Sequence, residues 1–196
     1  MDQTTGSLPD HSLLLPGKLD VDAYYRLARE EGFLDEARRV ELIDGELVWM
    51  NAVNSPHAGV VNRLTRLLIR AAGDQATVSV QNPVRLDAWN EPEPDVALLL
   101  PRADDYGAGH PSAADALLLI EVSDTSLARD RGPKRALYAR FGIREYWIVD
   151  IEGGRVEVCR EPSAGTYASV ETAGPDAVLT VAALPEVSLP VRDILG

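Results

Sequence analysis

The sequence predicts a mixed α/β domain in which helices flank one central β-sheet. Segments with helical spacing of apolar residues alternate with short apolar segments that are typical of strands. One of these, LLLIEV at 117–122, is apolar apart from one glutamate, which suits a central strand covered on both faces. We expect a single domain over residues 16–196, preceded by a flexible, largely polar segment at 1–15.

The N-terminal part of the domain is predicted to be a helix followed by a β-hairpin. Asp20 is a suitable N-cap for a helix over 20–31, and Gly32 is a suitable residue to end it. The segment VELIDGELVWM at 40–50 contains two short apolar runs joined by Asp44-Gly45. Because this dipeptide is the strongest short hairpin signal, we expect two antiparallel strands here.

A second helix is predicted to begin at Ser55-Pro56, with serine as its cap and proline in the first turn. Gly73 is expected to end it. Its apolar residues recur at a spacing of three and four, namely Val60, Leu64, Leu67, Leu68 and Ala71.

The second half of the chain is predicted to be rich in strands. Strands are expected at 77–86, 95–100 and 116–122, then a helix at 133–141 and a strand at 145–150. The remaining strand-like segments form a C-terminal β meander at 155–160, 167–171 and 177–182.

Composition and charge restrict the functions that are open to the chain. The single cysteine, Cys159, excludes an internal disulfide framework and a cysteine-based zinc site. Without a secretory signal or a membrane-spanning apolar run, the expected location is cytoplasmic, with no membrane partner. The net charge of −12 would repel nucleic acid, so a nuclease would need a local basic face. Candidates for it are Arg63, Arg66, Arg70, Arg129, Arg131, Lys134, Arg135 and Arg140, although helical arginines are more often a solvated face.

Two carboxylates are the strongest candidates for chemistry. Asp95 opens a predicted strand, and Glu121 lies within the apolar strand LLLIEV. Taken singly, Glu121 is better explained by a salt bridge to a basic neighbour and Asp95 by a turn after proline. If the two strands are neighbours, however, both carboxylates would reach one ion. Two hard oxygen ligands with open positions suit Mg²⁺ or Mn²⁺.

Lys134 is the candidate cation of this site. It follows Glu121 by thirteen residues and lies near the start of the next predicted helix, from which its ammonium could reach the same place. The alternative is a lysine on the solvent face of that helix.

These motifs together resemble the Uma-two family of putative bacterial endonucleases, which belongs to the PD-(D/E)XK, or restriction-endonuclease-like, superfamily. The similarity lies in residues 120–150, in VELIDGELVWM, in Ser55-Pro56-His57 and in Glu93-Pro94-Asp95, and it extends over about residues 16–192. The resemblance implies a restriction-endonuclease-like core of helix, three strands, helix and strand. This order agrees with the elements predicted above from 56 to 150.

The resemblance also implies the roles of the site residues. Asp95 takes the place of the motif's aspartate and Glu121 that of its acidic partner, with the backbone carbonyl of Val122 as a further metal ligand. The lysine expected two residues after the glutamate is replaced by Ser123. The resemblance implies that Lys134 supplies the ammonium instead.

Two further site residues are nominated at family-type positions, because the second helix contains no glutamate. These are Glu46 on the hairpin and His57 at the N-terminus of that helix. Glu46 is about equally well explained as a polar residue across a β-turn, and His57 as a capping or first-turn residue. Tyr138 and Trp147 are more consistent with core positions than with base stacking.

The function predicted from these observations is Mg²⁺- or Mn²⁺-dependent hydrolysis of phosphodiester bonds in nucleic acid, with DNA favoured, by a chain that could form a homodimer. Two other functions are compatible with the sequence. One is a nuclease-fold module that binds without cleaving, and the other is a carboxylate-based hydrolase of a substrate that is not a nucleotide.

Overall fold

The computed structural model describes residues 17–29 and 39–196. The segment predicted to be flexible, 1–15, lies outside the described residues, and so do Glu31 and Gly32 at the predicted end of the first helix. Helix α1 spans Val21–Ala28, and the Asp20 side chain caps it by accepting a hydrogen bond from the Ala23 N–H.

A six-stranded mixed sheet forms the centre of the molecule, which confirms the predicted fold class. Its strand order is β3-β4-β5-β6-β7-β8, and only β5 and β6 run parallel. The strands span Thr77–Val80 (β3), Val96–Leu99 (β4), Ala116–Ser123 (β5), Glu145–Asp150 (β6), Arg155–Ser163 (β7) and Thr166–Ala173 (β8).

Helices cover both faces of the sheet at β5 and β6. On one face, Ile120 and Trp147 belong to a core that includes Leu64 and Leu68 of helix α2, which spans Ser55–Ala72. On the other face, β5 and β6 pack with helix α4, Arg135–Arg140, through residues such as Tyr138. Tyr138 and Trp147 are fully buried, which confirms the prediction that they are core residues.

The hairpin forms a small sheet of its own, with β1 at Val40–Ile43 and β2 at Glu46–Trp49. Its turn residues Asp44 and Gly45 both have positive φ angles, 49° and 77°, as the Asp-Gly signal predicts. A short bridge between Leu42 and Glu91 connects this hairpin to the segment that leads into β4. The hairpin is therefore held beside the main sheet near Asp95.

Helix α2 is capped by Asn54 and not by the predicted Ser55, because the Asn54 side chain accepts a hydrogen bond from the backbone N–H of His57. Apart from this cap, the structure differs from the predicted elements at three places. The strand predicted over 77–86 ends at Val80, because Gln81 has φ +51° and Pro83 has no N–H to donate. The second core helix begins earlier, with a short α-helical turn α3 at Leu127–Arg129 and a π-helical turn at Asp130–Lys134. Such wide turns are rare in proteins, and those that do occur are often found at functional sites.

The third difference is at the C-terminus. The meander divides, since β7 and β8 extend the main sheet while β9, Val178–Val181, pairs with β10, Leu184–Pro190. Strand β10 and the final helix α5, Val191–Leu195, were not predicted. Both pack against α2 in the larger core. None of the helices in the described residues combines the length and the apolar character that a membrane span requires.

Candidate active site

Asp95 and Glu121 lie opposite each other at the ends of two neighbouring strands. Strands β4 and β5 are antiparallel with Val96 opposite Ile120, and continuing this register places Asp95 opposite Glu121. Asp95 is 6% exposed and Glu121 is 4% exposed, so both carboxylates are withdrawn from bulk water. The structure thus brings together the two residues that the sequence proposed as a pair.

Three donors surround the Asp95 carboxylate. Its Oδ2 accepts a hydrogen bond from the Val122 N–H at 2.8 Å and lies 3.1 Å from His57 Nε2. Its Oδ1 accepts from Gln81 Nε2 at 3.3 Å. Asp95 is therefore anchored to β5 and to the first turn of α2, and it is not a simple turn residue.

Glu121 and Lys134 form a buried ion pair. Glu121 Oε1 accepts from Lys134 Nζ and from the Tyr138 hydroxyl, both at 2.8 Å. Lys134 is only 2% exposed, so it does not lie on the solvent face of its helix. The salt bridge that was the alternative explanation of Glu121 exists, and it joins the two residues proposed for the site.

A second carboxylate also contacts Lys134, and the sequence analysis missed it. Glu41 of β1 places its Oε2 2.8 Å from Lys134 Nζ and 3.2 Å from the Glu93 N–H, and it is 1% exposed. A usable signal was present, because Glu41 is a charged residue within the short apolar run VELI. The argument that singled out Glu121 in its strand applies equally to Glu41.

The hairpin residue that was nominated, Glu46, is exposed and does not line the pocket beside Asp95. The two hairpin glutamates lie on different strands, and only Glu41 has its carboxylate directed at Lys134. His57 is both a first-turn residue of α2 and a partner of Asp95, since its N–H donates to Asn54 Oδ1 at 3.0 Å. Ser123, where the motif's lysine is missing, donates instead to Asp130 Oδ2 at 2.7 Å.

Burial and neighbouring charges perturb the ionisation of the cluster. Burial raises the pKa of Glu121 well above its usual value, and the negative charge of Asp95 adds to this despite the attraction of Lys134. Burial would lower the pKa of Lys134, but Glu121 and Glu41 outweigh it and raise that pKa. For Asp95, burial favours the neutral form, yet the hydrogen bond from His57 and its charge lower the pKa overall. Because its two carboxylate neighbours raise its pKa, Lys134 remains a protonated ammonium.

A pocket opens beside these carboxylates. Its wall includes Asp95, Glu121, His57 and the backbone of Val122, and two arginines, Arg39 and Arg129, also line it. Lys134 and Glu41 do not line this pocket and lie behind Glu121. A substrate in the pocket would meet three carboxylates, since Asp124 also lines it, and two guanidinium groups.

The other basic residues predicted for a binding face divide into structural and exposed groups. Arg63 donates to the backbone carbonyls of Ile194 and Leu195 and ties α2 to the C-terminal helix. Arg131 pairs with Asp150 and Glu157. Arg66 and Arg70 are exposed on α2, the solvated face that was the alternative for helical arginines.

The donor set beside the pocket suits a hard divalent cation. Continuing the register of β4 and β5 places Pro94 opposite Val122, and proline has no N–H to bond the Val122 carbonyl. Because the Val122 N–H points towards Asp95, its carbonyl points to the same edge of β5. Two carboxylates that repel each other and one such carbonyl match the oxygen ligands of Mg²⁺ or Mn²⁺.

The arrangement of side chains alone, in the described residues, does not form a complete metal site. In the part of the chain that the structure describes, no group of three His, Cys, Asp or Glu side chains is arranged to hold a metal ion. A site here would therefore depend on two side chains, a backbone carbonyl and water, which is the pattern that Mg²⁺ prefers.

Comparisons with known proteins agree with this fold. A family model named Uma2 and described as "Putative restriction endonuclease" matches residues 21–192. A crystal structure of a putative nuclease belonging to DUF820 from Anabaena variabilis is similar, with a TM-score of 0.69 and 17% sequence identity. The alignment covers 90% of this chain and 97% of that chain, and at this identity it shows a shared fold. No curated protein matches the chain.

Proposed function

Because the chain belongs to the Uma2 (Uma-two) family of putative restriction endonucleases, we propose that it is a metal-dependent endonuclease that hydrolyses phosphodiester bonds of nucleic acid, with DNA favoured. The observation that carries this proposal is the pairing of Asp95 with Glu121 at the wall of one pocket. Lys134 against Glu121 and two arginines in the pocket supply the positive charge that a phosphodiester requires.

A divalent cation, Mg²⁺ or Mn²⁺, would be held by Asp95, Glu121 and the Val122 carbonyl. Bound there, it would supply Lewis acidity and lower the pKa of a water molecule. The donors that the chain itself provides support this assignment. Lys134 and Tyr138 occupy Oε1 of Glu121, and among the described residues no partner is found for Oε2. One carboxylate oxygen is thus left to face the pocket.

The remaining residues would bind and orient the substrate. Arg39 and Arg129 are partly exposed, at 36% and 29% of their side chains, and they could contact phosphate oxygens as bidentate donors. His57 fixes the Asp95 carboxylate by its contact with Oδ2. Lys134 would fix Glu121, and its positive charge would help to stabilise the negative charge that develops during hydrolysis.

The test is a cleavage assay on plasmid, linear duplex, single-stranded DNA and RNA with Mg²⁺ or Mn²⁺. We expect Asp95→Asn and Glu121→Gln each to lower the rate by about 100-fold or more, because each removes charge at the reacting centre. The control is Asp176→Asn, whose carboxylate is fully exposed beside Arg192. Equal cleavage by wild type and Asp95→Asn would reject the assignment, since a contaminating nuclease would then be responsible.

Calorimetry and a hydrolysis assay separate the other two functions from this one. Absence of Mg²⁺ or Mn²⁺ binding at millimolar concentration would favour a nuclease-fold module that binds without cleaving. Hydrolysis of a substrate that is not a nucleotide, lost in Glu121→Gln and not inhibited by DNA, would favour the carboxylate-based hydrolase.

A homodimer is also part of the proposal. Strand β8 is an edge of the six-stranded sheet, and Val170 on it is 45% exposed. An edge strand presents unpaired backbone N–H and C=O groups, to which a strand of a second copy can add. Sedimentation velocity over a concentration series would show a dimer, and a single monomeric species at every concentration would remove this part of the proposal.

A further inference from the structure

Lys134 lies between two carboxylates that belong to different parts of the fold. Its Nζ is 2.8 Å from Glu121 Oε1 on β5 and 2.8 Å from Glu41 Oε2 on β1. Only Glu121 lines the pocket, so the two contacts are not equivalent. A cation in the pocket would compete with Lys134 for Glu121 and would leave the Glu41 contact intact.

Burial of the Glu41 carboxylate costs free energy, so a contribution to stability does not by itself explain why a glutamate lies at this position. Among the described residues its buried Oε1 has no hydrogen-bond partner, and Arg129 Nη1 is 4.0 Å from that atom. Such an unsatisfied oxygen costs free energy, and buried ion pairs are often no more stabilising than apolar residues of similar size. The carboxylate is held in place by the Glu93 N–H and by its own strand.

We propose that Glu41 is a positioning residue of the active site, which fixes the Lys134 ammonium against Glu121 and keeps it there when Glu121 binds a cation. The role in catalysis rests on the proposed nuclease function, whereas the role in holding Lys134 does not. The two carboxylates around Lys134 then have different roles. Glu121 faces the pocket, and Glu41 balances the lysine from behind.

The effect of Glu41 on the Lys134 ammonium can be observed directly. It contains two lysines, Lys18 and Lys134, and the former is exposed while the latter is buried. In protein labelled with ¹⁵N-lysine, the ammonium of Lys134 should give a signal protected from exchange with water, and the Lys18→Arg variant identifies it. In Glu41→Gln a neutral acceptor replaces the carboxylate, and we expect exchange to become about 10-fold faster. Added Mg²⁺ should increase the difference from wild type.

The kinetic test uses the same variant. Glu41→Gln should lower kcat about 10–100-fold with little change in KM for DNA, because Glu41 does not line the pocket. In a Lys134→Met background it should cause no further loss, since it acts through that lysine. Glu41→Asp keeps the charge and should restore part of kcat. Glu186→Gln, at an exposed glutamate of β10, is the matched control.

The outcomes are distinguishable. If wild type shows no cleavage, the proposed function fails, and the exchange measurement still decides the role of Glu41 in holding Lys134. If Lys134 exchanges equally slowly in Glu41→Gln and wild type, with and without Mg²⁺, the inference is wrong. An additive loss in the Lys134→Met background would also overturn it. Should Glu41→Gln lose its native circular dichroism, Glu41→Asp is measured in the same two assays, and wild-type values in both would overturn the inference.

Discussion

At the scale of single residues, the site depends on charges that are withdrawn from water. Asp95, Glu121, Glu41 and Lys134 are all at most 6% exposed, so each charge requires a partner within the protein. Lys134 is the one member of this set that is positive. Its ammonium contacts Glu41 and Glu121 directly, whereas Asp95 is paired with His57.

Lys134→Met tests this dependence. The substitution keeps an unbranched side chain that is one atom shorter, and it leaves Glu41 and Glu121 buried without their cation. We therefore expect a loss of about 3–5 kcal/mol in the free energy of unfolding. Urea denaturation at neutral pH measures it. Adding Glu121→Gln to this variant should recover part of the loss, because one uncompensated charge is removed. Lys18→Met is the control, since Lys18 is exposed and its loss should change stability by less than about 0.5 kcal/mol.

If Lys134→Met is as stable as wild type, the carboxylates do not depend on the ammonium for their burial. The claim that Lys134 organises the cluster would then have to be abandoned.

At the scale of secondary-structure elements, the residue at which β4 begins determines which backbone groups of β5 are left for the site. Proline at 94 interrupts the ladder between β4 and β5 one residue before Asp95. The interruption leaves the Val122 N–H to the Asp95 carboxylate and leaves the Val122 carbonyl without its strand partner. By ending a pair of strands, the Pro-Asp sequence thus leaves oxygen atoms that would serve the proposed cation.

Pro94→Ala tests this interpretation. Alanine supplies an N–H that can bond the Val122 carbonyl, and that bond competes with a metal for the same oxygen. We expect Mg²⁺ affinity to fall by about 10-fold in calorimetric titration. Stability should stay within about 1 kcal/mol, because a new hydrogen bond and the lost rigidity of proline offset each other. Pro92→Ala is the matched control, two residues further from the strand. An Mg²⁺ affinity equal to wild type would argue against Val122 as a ligand.

At the scale of the whole molecule, the net charge of −12 works against a polyanionic substrate. Arg39 and Arg129 offset this locally, because they line the pocket that holds Asp95 and Glu121. Most other arginines with described partners are engaged elsewhere, such as Arg63 with α5 and Arg131 with Asp150. Binding should therefore be local to the pocket and sensitive to salt.

The salt dependence of DNA binding measures these two arginines. In an Asp95→Asn background, which prevents cleavage, Arg39→Ala and Arg129→Ala should each reduce the slope of log K against log salt by about 1. The physical reason is that each phosphate contact releases about one counterion. Fluorescence anisotropy with a labelled duplex gives the slopes. Arg192→Ala, on the exposed C-terminal helix, should leave the slope unchanged. Equal slopes in all variants would place the DNA-binding surface elsewhere.

Local patterns in the sequence determined much of this protein. The Asp44-Gly45 turn, the Ser55-Pro56 helix start and the apolar strand of Glu121 depend on short-range sterics and periodicity, so they could be predicted from neighbouring residues alone. The order of the core elements followed from them. The neighbouring positions of Asp95 and Glu121 were also expected, because adjacent strands of one sheet bring their ends together.

Tertiary structure alone decided which charges meet. Glu41 and Glu46 are both hairpin glutamates, and the apolar run around Glu41 indicates burial but names no partner for it. Only the packing of β1 against the π-helical turn makes Glu41 the partner of Lys134. Helix α5 was missed for a related reason. It has five residues, which is too short to be stable by itself, and it exists because it packs on α2. Contacts between distant segments have no signature in local sequence, and this site is made of such contacts.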